Sequence, residues 1–167
     1  LIYTSGTTGR SKGAMLSHRN LAANALALYE AWGFSGEDVL LHALPIFHVH
    51  GLFVALHCAF LGGCPMVWLS KFSEAEAIAG LAKSTVMMGV PTFYTRLLAD
   101  PAFTRERAAR MRLFISGSAP LLASTFAEFE ARTGQRILER YGMSEAVIIT
   151  TNPLQGERVA GSVGYPL

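Results

Sequence analysis

The stretch Val86–Leu98 has the sequence VMMGVPTFYTRLL, in which a strand pattern is followed directly by a helix pattern. The run Val86–Val90 is short, uncharged and apolar, which is typical of a strand buried on both faces. The segment Thr92–Ala99 carries the spacing of a short helix. A strand followed at once by a helix is the repeating unit of parallel α/β sheets.

The same alternation extends in both directions along the chain. Further strands are predicted at Leu1–Thr4, Gly13–Leu16, Val39–Leu44, Pro65–Leu69, Leu113–Ser116 and Ile137–Glu139. Further helices are predicted at Arg19–Trp32, Gly51–Leu61, Glu74–Lys83 and Leu121–Thr133, with Gly134 as a C-cap. Ser17 or His18 is the expected start of the first of these, and Ser73 with Glu76 forms a capping box for the third. The predicted fold is α/β, with a layered, mostly parallel sheet covered by helices and one unit over residues 1–167.

Composition narrows the class of protein. The 167 residues are 51% hydrophobic and 16% charged, which excludes intrinsic disorder. The net charge of +2 does not indicate a nucleic-acid binder, and the cluster Arg105, Arg107, Arg110 and Arg112 has no interleaved aromatic residues. Cys58 and Cys64 are too few for a disulfide framework and are interpreted as reduced thiols.

One long segment needs a test against a membrane span, because Val39–Ser70 contains no Asp, Glu, Lys or Arg. Prolines, histidines and a Gly62-Gly63 pair interrupt it. Its longest helical candidate, His48–Leu61, has about 14 residues, fewer than the roughly 20 that a bilayer requires. We therefore predict buried core and no membrane span.

The loop after the first strand is TSGTTGRSKG, residues Thr4–Gly13. Glycines let consecutive N–H groups approach an anion, hydroxyls donate further hydrogen bonds, and Arg10 and Lys12 supply positive charge. This chemistry suits a polyphosphate, although the spacing is not that of a Walker A loop. By composition alone, a flexible turn is the alternative.

This string resembles the phosphate-binding signature of the adenylate-forming superfamily, with Ser11 where proline is usual. Other segments resemble that superfamily's motifs in the same order: LPIFHVHG from Leu44, GVPT from Gly89, SGSAPL from Ser116 and ERYGMSE from Glu139, where Ser144 replaces the usual threonine. The resemblance implies the central part of the large N-terminal domain. It places an N-terminal subdomain and a small C-terminal domain, which carries the adenylation lysine, outside this chain.

The resemblance also implies a reaction, in which a carboxylic acid and ATP form an acyl-adenylate and coenzyme A then takes the acyl group. Lys12, Thr8, Glu145 and His48 would be catalytic, with Glu145 the Mg²⁺ ligand and His48 beside the acyl group. The nucleotide would be held by Thr4, Ser5, Gly6, Thr7, Thr8, Gly9, Lys12, Ser118, Ala119, Pro120, Tyr141, Gly142 and Ser144. The acid would lie against His48, Arg96, Ser116, Gly117 and Met143.

Arg96 narrows the expected substrate. A buried guanidinium is costly without a partner, and a second carboxylate on the substrate would provide one. The strings around Arg96, His48 and Ser116 most resemble malonyl-CoA synthetases, so a small dicarboxylate such as malonate is predicted. A surface position for Arg96 is the alternative, which would favour a medium- or long-chain fatty acyl-CoA ligase. A non-catalytic nucleotide-binding module is a third possibility, and the expected location is the bacterial cytosol or an organelle matrix.

Overall fold

A computed structural model describes residues 1–4 and 10–167. The strands are β1 Ile2–Thr4, β2 Lys12–Ala14, β3 Leu40–His42, β4 Met66–Trp68, β5 Val86–Gly89, β6 Leu113–Ser116, β7 Leu138–Met143, β8 Val147–Thr151 and β9 Tyr165–Pro166. The α-helices are α1 His18–Ala31, α2 Leu56–Gly62, α3 Glu74–Leu81, α4 Pro91–Ala99 and α5 Ala123–Thr133, and a π-helical segment, His50–Ala55, leads into α2.

The described strands form one seven-stranded sheet and one separate hairpin. The order in the large sheet is β4-β3-β5-β6-β7-β8-β9, and the hairpin pairs β1 with β2. Neighbours from β4 to β7 run parallel, whereas β7-β8 and β8-β9 are antiparallel. The prediction of a mostly parallel sheet covered by helices is confirmed.

Helices cover both faces of the parallel part, because successive side chains of a strand point to opposite faces. One face buries Leu40, Val86, Met88, Leu113, Ile115 and Leu138 against α1, the π-helical segment and α2. The other buries Leu41, Met87 and Phe114 against α3, α4 and α5. The predicted core is therefore confirmed for the charge-free segment, and the described part of the chain has no helix that is long and apolar enough to cross a membrane.

Three predictions of helix capping, two at helix starts and one at a helix end, can be compared with the structure. The Ser17 hydroxyl accepts the Asn20 N–H at 3.1 Å, and Gly134 ends α5 with a φ of 76°, both as predicted. The capping box at Ser73 was wrong, because the Ser73 side chain makes no capping hydrogen bond.

The predicted helix Gly51–Leu61 is also different in the structure. Its first turns are π-helical, and the Leu56 N–H donates to the carbonyl of Gly51. A Cβ at position 51 would collide with the carbonyl oxygen of Pro45, so this tight approach requires glycine. π-helical turns are rare in proteins, and those that occur are often located at functional sites.

Candidate active site

Polar and ionisable side chains lie close together at the carboxyl ends of the parallel strands, where open α/β sheets usually bind ligands. On the face that packs against α1 and α2, His42 extends β3 and Arg140 extends β7 beyond the apolar layer. His50, at the start of the π-helical segment, is buried beside them. The sheet edge thus presents a layer of basic groups directly above the hydrophobic core.

Two cavities open at this edge, and we name them cavity A and cavity B. Cavity A, about 140 Å³, is lined by His48, Val49, His50, Val54, Ser118, Arg140, Gly142, Met143, Ser144, Val147 and Ile148. Cavity B, about 350 Å³, is lined by Ser116, Ser118, Ala119, Pro120, Leu121, Glu139, Arg140, Tyr141, Gly142, Gly161 and Val163. Ser118, Arg140 and Gly142 line both, so the cavities are adjacent.

Arg140 is the most unusual group at this site. It is only 5% exposed, and its Nε and Nη2 atoms have no hydrogen-bond partner among the described residues. A Cβ on Gly117 would collide with its guanidinium, so glycine at 117 makes room for this side chain. Burial lowers the pKa of Arg140 to about 10, which leaves the group charged at neutral pH. A buried charge without a partner is expensive, and an anionic ligand would offset that cost.

Two histidines stand on the wall of cavity A. The backbone N–H of His50 donates to Nδ1 of His48 at 3.0 Å, and Oγ of Ser118 lies 3.3 Å from Nδ1 of His50. Burial lowers the pKa of both rings, and the charge of Arg140 lowers each further. The Nε2 atom of His50 has no partner within the described part of the chain. Cavity A therefore combines one cation with neutral imidazoles and a hydroxyl.

The turn between β7 and β8 forms one wall of cavity A, and its backbone is strained. Val147 has a φ of 63°, which is a rare conformation for a β-branched residue. A Cβ on Gly142 would collide with the carbonyl oxygen of Val147, so the two strands approach closely there. Residues held in sparsely populated conformations cluster at binding and catalytic sites. This turn carries Met143, Ser144 and Glu145.

The predicted nucleotide residues of the later motifs come together in space. Ser118, Ala119, Pro120, Tyr141 and Gly142 line cavity B, although they come from two separate segments of the sequence. Ser144 lines cavity A. Their contact with a nucleotide stays a prediction.

The predicted substrate residues divide between the two cavities. His48 and Met143 line cavity A, whereas Ser116 lines cavity B. Gly117 is buried, and a Cβ there would meet the Arg140 guanidinium, so its place is behind the wall of the cavities. The Oγ atom of Ser116 has no hydrogen-bond partner among the residues described.

The phosphate loop is described only at its two ends. Thr4 and Lys12 are paired in the β1-β2 hairpin, and the Thr4 hydroxyl donates to the carbonyl of Lys12 at 3.4 Å. Lys12 is exposed. The predicted residues Ser5, Gly6, Thr7, Thr8 and Gly9 lie outside the described residues.

Glu145 is exposed and lines a groove between α1 and the end of the β7-β8 turn. No group of three or more potential metal ligands occurs among residues 1–4 and 10–167. Mg²⁺ is often held by one or two carboxylates together with phosphate oxygens and water. An exposed single carboxylate fits a Mg²⁺ ion that arrives with a polyphosphate.

Arg96 does not occupy the predicted position, which is a correction. Its Nη2 donates to Oε2 of Glu74 at 2.7 Å, and its guanidinium lies over the ring of Phe72. The Arg96 side chain is 49% exposed and lines neither cavity A nor cavity B. The argument from a buried, unpartnered charge therefore fails for Arg96, and it applies instead to Arg140.

Sequence reasoning missed Arg140 and His50 as members of the site. A signal for Arg140 was present, because alternation along β7 places it on the same face as the buried Leu138. A charged residue at a core-facing position of a strand is uncommon. His50 follows His48 by two residues, and only the packing of the π-helical segment distinguishes the buried ring from the exposed one.

Comparisons with known proteins show the family of this chain and its overall fold. The family model of the AMP-binding enzymes matches residues 1–167. The mitochondrial malonate–CoA ligase of Mus musculus is 42% identical over all of this chain and 31% of its own length. A crystal structure of ATP-bound MatB from Rhodopseudomonas palustris is 57% identical, with a TM-score of 0.97, over 99% of this chain and 33% of that one.

A third relative is a malonyl-CoA ligase solved as a ternary product complex with methylmalonyl-CoA and AMP. It is 42% identical, with a TM-score of 0.93, over 99% of this chain and 37% of that one. The chain spans about a third of the length of the relatives it matches. The match over its whole length establishes that the chain belongs to the AMP-binding enzyme family.

Proposed function

We propose that the polypeptide containing this chain is an ATP-dependent acid–CoA ligase whose acid substrate is malonate. The acid is first converted to an acyl-adenylate with release of pyrophosphate, and the thiol of coenzyme A then displaces AMP. The similarity to malonate–CoA ligases supports this proposal.

The observation that carries the proposal is the buried guanidinium of Arg140 on the wall of cavity A, whose Nε and Nη2 atoms have no hydrogen-bond partner in residues 1–4 and 10–167. Malonate has two carboxylates, and only one is consumed in the adenylation step. We infer that the distal carboxylate pairs with Arg140 and that Ser118 and His50 provide further polar contacts. An arginine–carboxylate pair is short, charge-assisted and directional, so it orients the substrate as well as binding it.

This placement leaves the reacting carboxylate near the junction of the two cavities. Cavity B would hold the adenine base between Tyr141 and the loop Ser118–Pro120. Phosphoryl chemistry of this kind depends mainly on positioning and on stabilising negative charge. Lys12 and the other residues of the hairpin loop would hold the β- and γ-phosphates, and Ser144 would donate to the α-phosphate. Glu145 would hold Mg²⁺, which neutralises phosphate charge when bound.

The polarity of cavity A argues against a fatty acid. An alkyl chain next to Arg140 would leave the guanidinium unpaired and remove it further from water. A non-catalytic nucleotide sensor would need neither this second cavity nor a guanidinium on its wall.

The test is ATP–pyrophosphate exchange by the full-length enzyme against a panel of mono- and dicarboxylic acids. We expect malonate to support exchange best, and octanoate and longer acids to support little. The exchange should need Mg²⁺, and thioester formation should need coenzyme A. Preference for a long-chain acid would favour the fatty acyl alternative, and nucleotide binding without exchange for any acid would favour the sensor.

A further inference from the structure

Two walls of cavity B are loops, and these loops need support from elsewhere. One wall is the segment after Ser116 that includes Leu121, and the other is the segment that includes Gly161 and Val163. Neither segment belongs to a strand or a helix. The distance between the walls therefore depends on side chains that hold the loops to the sheet.

Glu139 on β7 lines cavity B and holds one of its loop walls to the sheet. It is only 5% exposed, and its Oε1 atom accepts the backbone N–H of Gly161 at 2.9 Å. Burial raises the pKa of the Glu139 carboxyl, whereas the hydrogen bond from the backbone N–H of Gly161 lowers it. No Lys or Arg forms a salt bridge with Glu139 in residues 1–4 and 10–167. The hydrogen bond of this carboxylate is thus made with the loop that contains Gly161.

Asn152 provides a second, independent tether to one of the walls. Its Nδ2 group donates to the carbonyl of Glu139 at 2.9 Å and to the carbonyl of Ser162 at 2.6 Å. Its backbone N–H also donates to the carbonyl of Glu139 at 3.0 Å. Asn152 is itself buried. Two buried side chains therefore fix the Gly161–Ser162 segment to the same residue of β7.

We propose that Glu139 is a positioning residue for the nucleotide, because it holds the Gly161 wall of cavity B to β7. This inference rests on the proposed function, in which cavity B takes the base of ATP and of AMP. Binding sites depend on groups that hold the contacting residues in place, and small displacements of those residues weaken binding.

A glutamine at this position would be a poor substitute, although it has the same shape. A carboxylate accepts the Gly161 N–H in a charge-assisted hydrogen bond, whereas a carboxamide oxygen accepts it in a weaker, neutral one. The Gly161 wall would then be held less firmly to β7. The Glu139→Gln change therefore weakens the tether without creating a large void.

The experiment measures AMP affinity by titration calorimetry on the full-length enzyme, together with the malonate KM at saturating ATP. We expect Glu139→Gln to raise the Kd for AMP about tenfold while the malonate KM stays within about twofold. Asn152→Ala should move the AMP Kd in the same direction. The control is Glu130→Gln, since Glu130 is a partly exposed glutamate of α5 that pairs with Arg136 and lines neither cavity.

An unchanged AMP Kd in folded Glu139→Gln would overturn the inference, as would an equal rise in the AMP Kd and the malonate KM, which indicates general distortion. If Glu139→Gln does not fold, Asn152→Ala decides alone by the same criteria. An enzyme that binds AMP with this dependence on Glu139 and yet does not activate malonate would contradict the proposed function and leave the inference intact. A wild-type enzyme that does not bind AMP would overturn both.

Discussion

Arg96 and Arg140 are two arginines in opposite surroundings. Arg96, on α4, lies at the surface, bonded to Glu74 and stacked on Phe72. Arg140, on β7, is buried, lacks hydrogen bonds at two of its nitrogens in the described part of the chain, and lines both cavities. The first belongs to an exposed ion pair, and exposed ion pairs usually contribute little to the free energy of folding. The second is a buried charge without a hydrogen-bond partner for those two nitrogens among the described residues, which is the situation that favours an anionic ligand.

Gly117→Ala should have the largest effect, because a Cβ at this position would collide with the Arg140 guanidinium. We expect kcat/KM for malonate to fall by a factor that corresponds to about 2–5 kcal/mol of transition-state stabilisation, which is the range for disrupting a buried charge pair. The loss for propionate should be smaller. The measurement is steady-state kinetics of the full-length enzyme with both acids. Gly36→Ala is a matched control, since its Cβ would be 3.4 Å from the nearest atom and far from the cavities. Equal losses for malonate and propionate would contradict a specific effect on Arg140.

Arg140→Met should stabilise the ligand-free enzyme while it abolishes malonate selectivity. Replacement of an uncompensated buried charge by an apolar side chain of similar length should raise the free energy of unfolding by about 1–4 kcal/mol. The measurement is denaturant unfolding without substrate, and Arg96→Met provides the comparison. A loss of stability in Arg140→Met would mean that the guanidinium already has a stabilising partner in the enzyme.

Acid should destabilise the enzyme through His50. Burial and the nearby Arg140 hold the pKa of His50 well below its ordinary value of 6.5. Below pH 6.5 the unfolded chain therefore binds a proton that the folded chain does not, and stability falls as the pH falls. The share of His50 should approach about 1.4 kcal/mol per pH unit, and His50→Gln should remove that share. A smaller slope should remain, because burial also lowers the pKa of His42, His48 and His57.

The measurement for His50 is the free energy of unfolding at pH 7.5 and pH 5.5 in wild type and variant. His18→Gln, at the exposed start of α1, is the control. The same pH slope in wild type and His50→Gln would show that His50 takes up its proton in the folded enzyme, and that the region around Arg140 is less positive than the structure indicates.

Arg96→Ala should have the smallest effect. We expect the kinetics with malonate and with propionate to change by less than about twofold, and stability to change little, because exposed ion pairs are weak and screened by salt. One measurement is the ratio of kcat/KM for the two acids. The other is the free energy of unfolding at low and at high salt. A selective loss of malonate activity would move the carboxylate site to α4, as the sequence alone predicted.

The spacing of apolar residues predicted the strands and helices of the parallel part of the sheet well, but it predicted the antiparallel part poorly. Val86–Gly89 and Pro91–Ala99 form the strand and helix that their spacing indicates, because these elements are specified by nearby residues. β8 was missed although Val147–Thr151 is rich in β-branched residues. The strand–helix alternation stops at β7, and a hairpin turn with a strained Val147 takes the place of a helix.

The candidate site shows where sequence reasoning reaches its limit. The motifs identified Ser118, Ala119, Pro120, Tyr141 and Gly142, and the structure brings all five to one cavity. The first three follow β6 and the last two belong to β7, which is its parallel neighbour. The choice between Arg96 and Arg140 depends on partners more than 20 residues away: Glu74 neutralises one, and Gly117 makes room for the other. Such pairings are tertiary, and the local pattern around either arginine does not reveal them.

A thermodynamic cycle between substrate and enzyme tests most directly whether Arg140 binds the distal carboxylate. Malonamate replaces that carboxylate with a neutral amide of the same shape, and Arg140→Met removes the guanidinium. We predict that wild type prefers malonate over malonamate in kcat/KM, that Arg140→Met loses at least about 2 kcal/mol of this preference, and that Arg96→Met retains it. A preference that survives in Arg140→Met, or disappears in Arg96→Met, would contradict the account.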